Sequence, residues 1–247
     1  LRQVAAGFDA ACWDIAARRA AMPLWRFLGG SEGRVPVYAS GIGPEDPASV
    51  AQSYADRGYR AFKLKVGFGE AVDLRAVQAL REAIGAELAL MLDANQAWDP
   101  LTADHRIKAL SEFRPLWIEE PIPADHPLET WTALASTSPI PLAAGENLCH
   151  QAEFDALIEN GAVRFVQPDV AKWGGISGCL RVARSALEKG LVFCPHFLGG
   201  GVGLLASGHI LAAAGGTGML EVDTNPNALR EIALEALPPV QDGWLTL

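Results

Sequence analysis

The sequence predicts an α/β fold, a (β/α) barrel, and three observations predict it. Eight short apolar segments alternate with amphipathic helical runs along nearly the whole chain, which is the pattern of successive βα units and a parallel sheet. Glycines punctuate the helix ends at Gly58, Gly85, Gly161 and Gly190, each shortly before a strand, as a helix C-terminal cap should. Ionisable residues recur at or near the C-terminal ends of successive strands, roughly 23 to 28 residues apart, about one βα unit each. Eight strands fit a closed barrel better than an open doubly wound sheet, and no G-x-G-x-x-G follows the first strand.

The chain opens without Met, in a helix-like run over residues 2–21. Residues 1–30 are therefore expected to lead into the barrel as part of a longer protein, and residues 31–247 to form the barrel. The first strand is expected at 35–39, followed by a Gly-Pro loop at 41–47. The second, at 61–66, alternates Phe62-Lys63-Leu64-Lys65-Val66, which puts both lysines on one face. Helix 71–84 leads to strand 88–93, and helix 101–113 to strand 116–119. Strand 142–146 and helix 153–160 come next, then strand 164–169 and helix 176–189. Strand 191–196, helix 204–214 and strand 219–222 complete the pattern.

Composition narrows the functional classes. Half of the 247 residues are hydrophobic, and the mean hydropathy is +0.15, ample for one large core. The net charge is −9 and the pI near 5.0, which argues against a nucleic-acid partner needing a basic patch. No apolar run approaches the roughly 18 residues of a membrane span, so no membrane partner is expected. No signal-peptide pattern opens the chain. Cys12, Cys149, Cys179 and Cys194 form no C-x-x-C pair and read as reduced thiols of a cytoplasmic protein.

Lys65, Asp93, Glu119, Glu146, Asp169, His196 and Glu221 share one phase of the repeat. In a barrel the C-terminal ends of the strands converge on one mouth, so the seven become a ring around one cavity. With apolar neighbours facing the helices, Lys63 and Lys65 would point inward; the alternative is an edge strand guarded by lysines. Asp93, Glu119 and Glu146 end three consecutive strands, side by side. Unpaired, they would repel one another and their pKa values would rise. A hard divalent cation resolves that conflict, and all-oxygen ligation suits Mg²⁺. Taken singly, each acid would more often be a helix N-cap or a solvated loop residue than a metal ligand. Asp169 and His196 lie on successive strands, where a carboxylate would fix the imidazole tautomer and make a general acid/base pair. His105, His126, His150 and His209 lack such company and read as loop or helix histidines. Gly199-Gly200-Gly201 follows the seventh strand, where barrels often bind phosphate, but the acidic ring argues against phosphate there.

The motifs Lys63-Leu64-Lys65, Asp93-Ala94-Asn95-Gln96, Trp117-Ile118-Glu119-Glu120-Pro121 and Gly145-Glu146-Asn147 occur in order. Pro168-Asp169-Val170-Ala171-Lys172-Trp173-Gly174-Gly175, Cys194-Pro195-His196 and Leu220-Glu221 continue the series. Together they resemble the enolase superfamily, and within it the mandelate racemase subgroup (mandelate racemase/muconate lactonizing enzymes). The resemblance covers nearly the whole chain. It implies a modified TIM barrel of the enolase C-terminal type, with the family's N-terminal α+β capping domain largely absent from this chain. It implies that Asp93, Glu119 and Glu146 bind Mg²⁺. Lys65 would be the base on one face of a carboxylate substrate, and His196, oriented by Asp169, the acid/base on the other. Glu221 would hydrogen-bond the substrate carboxylate as it becomes an enediolate. Lys63 would lower the pKa of Lys65 and contact the carboxylate, and Asn95 would add a polar contact. Asp169 stands where the muconate-lactonizing branch carries lysine, which favours the mandelate racemase branch. Lys172 reads as support for the site or its loop.

The implied function is Mg²⁺-dependent removal of the proton next to a small-molecule carboxylate, in an acid-sugar dehydratase. A racemase or epimerase of a 2-hydroxy acid is the alternative. A metal-binding but inactive truncated barrel is a second alternative. A homo-oligomer is the family expectation.

Overall fold

Two helices, α1 (Arg2–Arg19) and α2 (Leu24–Phe27), precede the first strand β1 (Arg34–Ile42) in the computed structural model, which describes residues 1–232 and 238–247. Then follow α3 (Pro47–Asp56), β2 (Ala61–Lys65), α4 (Glu70–Ile84), β3 (Ala89–Asp93), α5 (Pro100–Leu110) and a 3₁₀ turn (Ser111–Phe113). The next units are β4 (Ile118–Glu119), α6 (Leu128–Thr137), β5 (Leu142–Ala144), α7 (Gln151–Asn160), β6 (Phe165–Val166) and α8 (Gly175–Glu188). The chain continues with β7 (Val192–Phe193), α9 (Gly201–Ala214), β8 (Leu220–Asp223), α10 (Ala228–Ile232) and β9 (Trp244–Thr246).

Strands β1 to β8 are parallel and ladder in the order β7-β6-β5-β4-β3-β2-β1-β8. The two ends of that path meet across a seam, where the Met219 N–H donates to Cys194 Sγ at 3.4 Å and the Phe197 N–H to Glu221 Oε2 at 2.9 Å. Period-2 alternation then divides the side chains. Phe62, Leu64, Leu90, Leu92, Ile118, Leu142 and Val166 face outward and join the helices in the main core. Tyr38, Ala61, Met91, Trp117, Ala143, Phe165, Val192 and Cys194 face inward and fill the barrel, with Met219 packed against them. Every one of the eight parallel strands, or the residue next to it, contributes to that inner layer. The expected (β/α) barrel is thus the observed fold.

Local chemistry sets the helix starts. Asp46 accepts the Ser49 N–H at 3.4 Å and Pro47 takes the first turn of α3. Asp99 does the same for α5, accepting from Leu101 and Thr102 at 3.0 and 2.9 Å ahead of Pro100. Glu153 accepts the N–H groups of Cys149 and His150 at 2.7 and 2.9 Å, closing the capping box of α7.

Several expected boundaries move. β1 runs on to Ile42 and α3 takes Pro47, so the expected loop at 41–47 shrinks from both ends. Ladder pairing in β5, β6 and β7 is shorter than 142–146, 164–169 and 191–196. Gly145 leaves the pleat with φ +143°, and a Cβ there would meet the Gln167 backbone N at 2.8 Å. Pro168 and Pro195 have no N–H to donate. The backbone nonetheless stays in line, with the Cys194 N–H on the Val166 carbonyl at 3.0 Å and the His196 N–H on the Pro168 carbonyl at 3.2 Å. β9 was not expected; it pairs antiparallel with the start of β1, Val35 opposite Leu245, and three residues are too few for periodicity to register.

Helices α1 and α2, from the expected lead-in at 1–30, lie against α8 and α9 outside the barrel. Asp9 accepts from the Ser177 hydroxyl at 2.6 Å and from its N–H at 2.9 Å, and the Trp13 indole donates to Ser177 Oγ at 2.8 Å. Among the described residues, no helix is long and apolar enough to cross a membrane.

Candidate active site

Above the apolar inner layer, the next inward positions are polar. Ser40, Lys63, Glu119, Gln167 and Glu221 are all fully buried there. Lys63 Nζ lies at the hub, 2.6 Å from Glu119 Oε2 and 2.7 Å from Glu221 Oε1, with Asp93 Oδ2 at 3.7 Å. Ser40 Oγ donates to Glu221 Oε1 at 2.6 Å, and Gln167 Nε2 to Glu119 Oε2 at 2.7 Å. Burial and the Asp93 charge push the Glu119 carboxyl well above the usual range, against the pull of Lys63. Glu221 is also buried, but Lys63, His196 and the Ser40 hydroxyl hold its carboxyl low. For Lys63, burial opposes the charge and Glu119 and Glu221 outweigh it, so the ammonium is held charged.

The rim comes next. Lys65 Nζ is 2.6 Å from Asp93 Oδ2 and donates to Asn95 Oδ1 at 2.7 Å, with a fifth of its side chain exposed. Asp93 Oδ1 accepts the Asn95 N–H at 2.9 Å, fixing a turn in which Asn95 and Gln96 take left-handed backbone with φ of 44° and 63°.

His196 and Asp169 stand on the other flank. His196 Nδ1 is 2.8 Å from Asp169 Oδ2, and Nε2 is 2.5 Å from Glu146 Oε2 and 3.8 Å from Glu221 Oε2. Burial disfavours the imidazolium, but Glu221, Asp169 and Glu146 outweigh it and raise its pKa to about 10. Glu146 is correspondingly held far below the usual carboxylate range; burial opposes this, and the His196 contact overcomes it. Asp169 Oδ1 accepts the N–H groups of Ala171 and Lys172 at 2.7 and 3.0 Å, so one carboxylate fixes both the histidine and the turn behind it.

The geometry thus brings all the expected residues to one mouth, at two depths. Lys65, Asn95, Asp169, His196 and Glu146 line the rim. Lys63, Glu119, Glu221 and Asp93 lie below it. Lys63 is turned toward Glu119 and Glu221 rather than toward Lys65. Gln167, Ser40 and the pair Glu120–Asn147 are further polar members. Gln167 shares the inward phase of Phe165 and Asp169 but carries no charge to single it out. Asn147 Nδ2 donates to Glu120 Oε2 at 2.6 Å and to Glu146 Oε1 at 3.1 Å. Burial and Glu146 raise the Glu120 carboxyl to about 8, on a residue with left-handed backbone at φ 38°.

The donor set suits a hard divalent cation. Asp93, Glu119 and Glu146 end adjacent strands and offer only oxygen. Glu119 Oε1 is buried with no hydrogen-bond partner, and its neighbouring acids raise its pKa, a conflict that added positive charge would relieve. Among the described residues, no three acidic, histidine or cysteine side chains stand together as a ready-made metal cage. Asp93 and Glu146 take Lys65 and His196 as partners instead.

A Cβ at Gly199 would come within 2.7 Å of Phe197 Cζ. His209, expected to be a helix histidine, lies in α9 and accepts the Trp25 N–H at 3.3 Å through Nδ1.

Comparison with known proteins agrees with this architecture. The family model described as enolase C-terminal domain-like matches residues 46–247. An L-talarate/galactarate dehydratase from Salmonella typhimurium is 39% identical over 202 residues, covering 79% of this chain and 50% of that protein. The crystal structure of a mandelate racemase/muconate lactonizing enzyme from Bordetella bronchiseptica RB50 superimposes with TM-score 0.97 at 49% identity, covering 100% of this chain and 69% of that one. An L-talarate dehydratase from Polaromonas sp. JS666, in complex with Mg and L-glucarate, superimposes with TM-score 0.85 at 32% identity, covering 97% and 66%. The chain spans about half the length of the first of these relatives.

Proposed function

The chain belongs to the enolase C-terminal domain-like family, and from that premise we propose that it carries the catalytic barrel of a Mg²⁺-dependent acid-sugar dehydratase. One observation carries the reading. Lys65 at the end of β2 and the His196–Asp169 pair beyond β7 and β6 face the same mouth, separated by three strands (β3, β4 and β5) one way around the barrel and two (β1 and β8) the other. A substrate carboxylate lying between them exposes opposite faces of its α-carbon to two proton-transfer groups.

The α-proton of a carboxylate is very weakly acidic, because its removal places a second negative charge on the carboxylate oxygens. Mg²⁺ held by Asp93, Glu119 and Glu146 would supply positive charge where that negative charge develops. Lys65 Nζ takes the α-proton on its face. Asn95 and Asp93 hold the amine in place. His196, charged and fixed by Asp169 through Nδ1, gives its Nε2 proton to the β-hydroxyl as the C–O bond breaks, so that water leaves. The enol left behind tautomerises to a 2-keto-3-deoxy acid. Glu221, anchored by Lys63, Ser40 and the Phe197 N–H, lies beneath this centre with Oε2 3.8 Å from His196 Nε2. The relatives named for talarate and galactarate support acid sugars as the substrate class.

The same two-sided geometry favours a second reading. If His196 returns its proton to the α-carbon instead of to a hydroxyl, the product is the opposite stereoisomer, and the enzyme is a racemase or epimerase. Incubation with Mg²⁺ and a library of aldonates, aldarates and 2-hydroxy acids in D₂O, read by NMR, separates the two. A 2-keto-3-deoxy product supports the dehydratase. Deuterium at the α-carbon without elimination supports the racemase. Absence of both, from this chain and from a form extended to the length of its relatives, would sink both readings.

A further inference from the structure

The reaction above leaves Lys172 without a part, yet the fold holds it at the mouth. Its backbone N–H is fixed on Asp169 Oδ1 at 3.0 Å, by the same carboxylate that orients His196. Its ammonium stands 3.8 Å from Glu146 Oε1, beyond hydrogen-bond reach, while the other oxygen of Glu146 is taken by His196 at 2.5 Å. About a third of the lysine side chain is exposed. It opens onto a hollow that Leu1, Arg2, Gln3, Glu146, Asn147 and Cys149 also line. Arg2, in the first turn of α1, donates to His150 Nε2 at 2.6 Å. Arginine can only donate, so it keeps its full charge beside the cavity.

The mouth therefore has two cationic regions. The inner one, at Lys65 and the acidic ligands, receives the carboxylate whose α-proton is removed. The outer one is Lys172 with Arg2 behind it; Lys172 lies within ion-pair distance of Glu146 Oε1 but makes no hydrogen bond to it. Resting on the reading in the preceding subsection, we propose that this outer region binds a second carboxylate at the far end of the substrate. The substrate class is then the dicarboxylic acid sugars (aldarates) rather than the monocarboxylic aldonates. An aldonate would set a neutral hydroxymethyl group against the lysine. An aldarate would set an anion there and form a charge-assisted hydrogen bond, the stronger kind.

The test compares galactarate with D-galactonate, which differ only at that far end, by calorimetric titration of the Mg²⁺-loaded protein. Wild type is expected to bind galactarate about ten- to a hundred-fold more tightly, the range that hydrogen bonds to charged groups supply. That ratio should collapse toward one in Lys172→Gln and shrink in Arg2→Gln. A change in Mg²⁺ affinity through Glu146 would weaken both acids together and leave the ratio alone. Equal binding of the two acids by wild type, or a ratio that survives Lys172→Gln, overturns the subsite. In that event α-deuterium exchange of either acid by wild type would keep the proton-abstraction reading standing. Neither binding nor exchange with either acid would remove that reading and this inference together.

Discussion

Asp169 and His196 are joined twice. Their side chains meet at 2.8 Å, and their backbones form a parallel bridge beyond the ends of β6 and β7. The backbone link means that the imidazole position does not depend on the carboxylate alone; the Nδ1 contact fixes the tautomer, and the charge is favoured by Glu221 and Glu146 together with Asp169. Asp169→Asn should therefore leave the fold intact and impair the proton transfers of His196. Product formation is expected to fall by about 10²–10⁴-fold, the usual contribution of a positioned acid/base. α-Proton exchange through Lys65 should fall less. Turnover and exchange measured on the same preparation check this, and an equal loss of both would mean that Asp169 serves the whole site rather than the histidine.

Lys65→Met separates the base from the cation site. Lys65 sits on the rim beside Asp93, and its removal leaves Glu119 and Glu146 untouched. Exchange of the α-proton should disappear while Mg²⁺ still binds, with an affinity equal to or above that of wild type because Asp93 loses a competing cation. Exchange at the wild-type rate would sink Lys65 as the base.

Much of this was legible in the sequence because a barrel converts spacing into geometry. Lys65, Asp93, Glu119, Glu146, Asp169, His196 and Glu221 share one phase of the βα repeat, and phase alone brings them to one mouth. Depth was not legible. Lys63 is two residues before Lys65 on the same face, so one pleat repeat separates a rim lysine from a wholly buried one. The partners of each charge were likewise hidden. Nothing in the chain order says that Lys63 would bridge Glu119 to Glu221, or that Glu146 would meet His196, because those pairs span the barrel interior. Gln167 and Ser40 carry no charge and so did not register in a pattern built from ionisable groups.

Lys63 offers a stability test. It is wholly buried between two wholly buried carboxylates, 2.6 and 2.7 Å away. Removing one member of such a cluster strands the others without compensation, at a cost of about 3–5 kcal/mol. Lys63→Met, close in volume, should lower stability by that amount in urea unfolding. Lys65→Met, on the rim, should cost far less. Similar losses for the two variants would mean that the inner cluster is not the stabilising element assigned here.

His209 gives a pH-dependent prediction away from the site. It lies in α9, accepts the backbone N–H of Trp25 from α2, and burial lowers its pKa from 6.5 to about 4, only partly offset by Asp14. A protonated ring could not accept that hydrogen bond through Nδ1. The unfolded chain takes up the proton as pH falls through about 6.5, while the folded protein resists until about 4. Between those values the unfolded state binds more protons, so stability must rise with pH across that window. The contribution is fully present above pH 6.5, is lost progressively on acidification, and changes no further below about 4. His209→Gln can keep an acceptor for the Trp25 N–H but cannot titrate. Its stability should fall less steeply than that of wild type from pH 6.5 to 4, and the two curves should run parallel above 7. Chemical denaturation at half-unit intervals measures both slopes. Parallel curves across the acidic window would mean that His209 is not held neutral by the packing of α2 on α9.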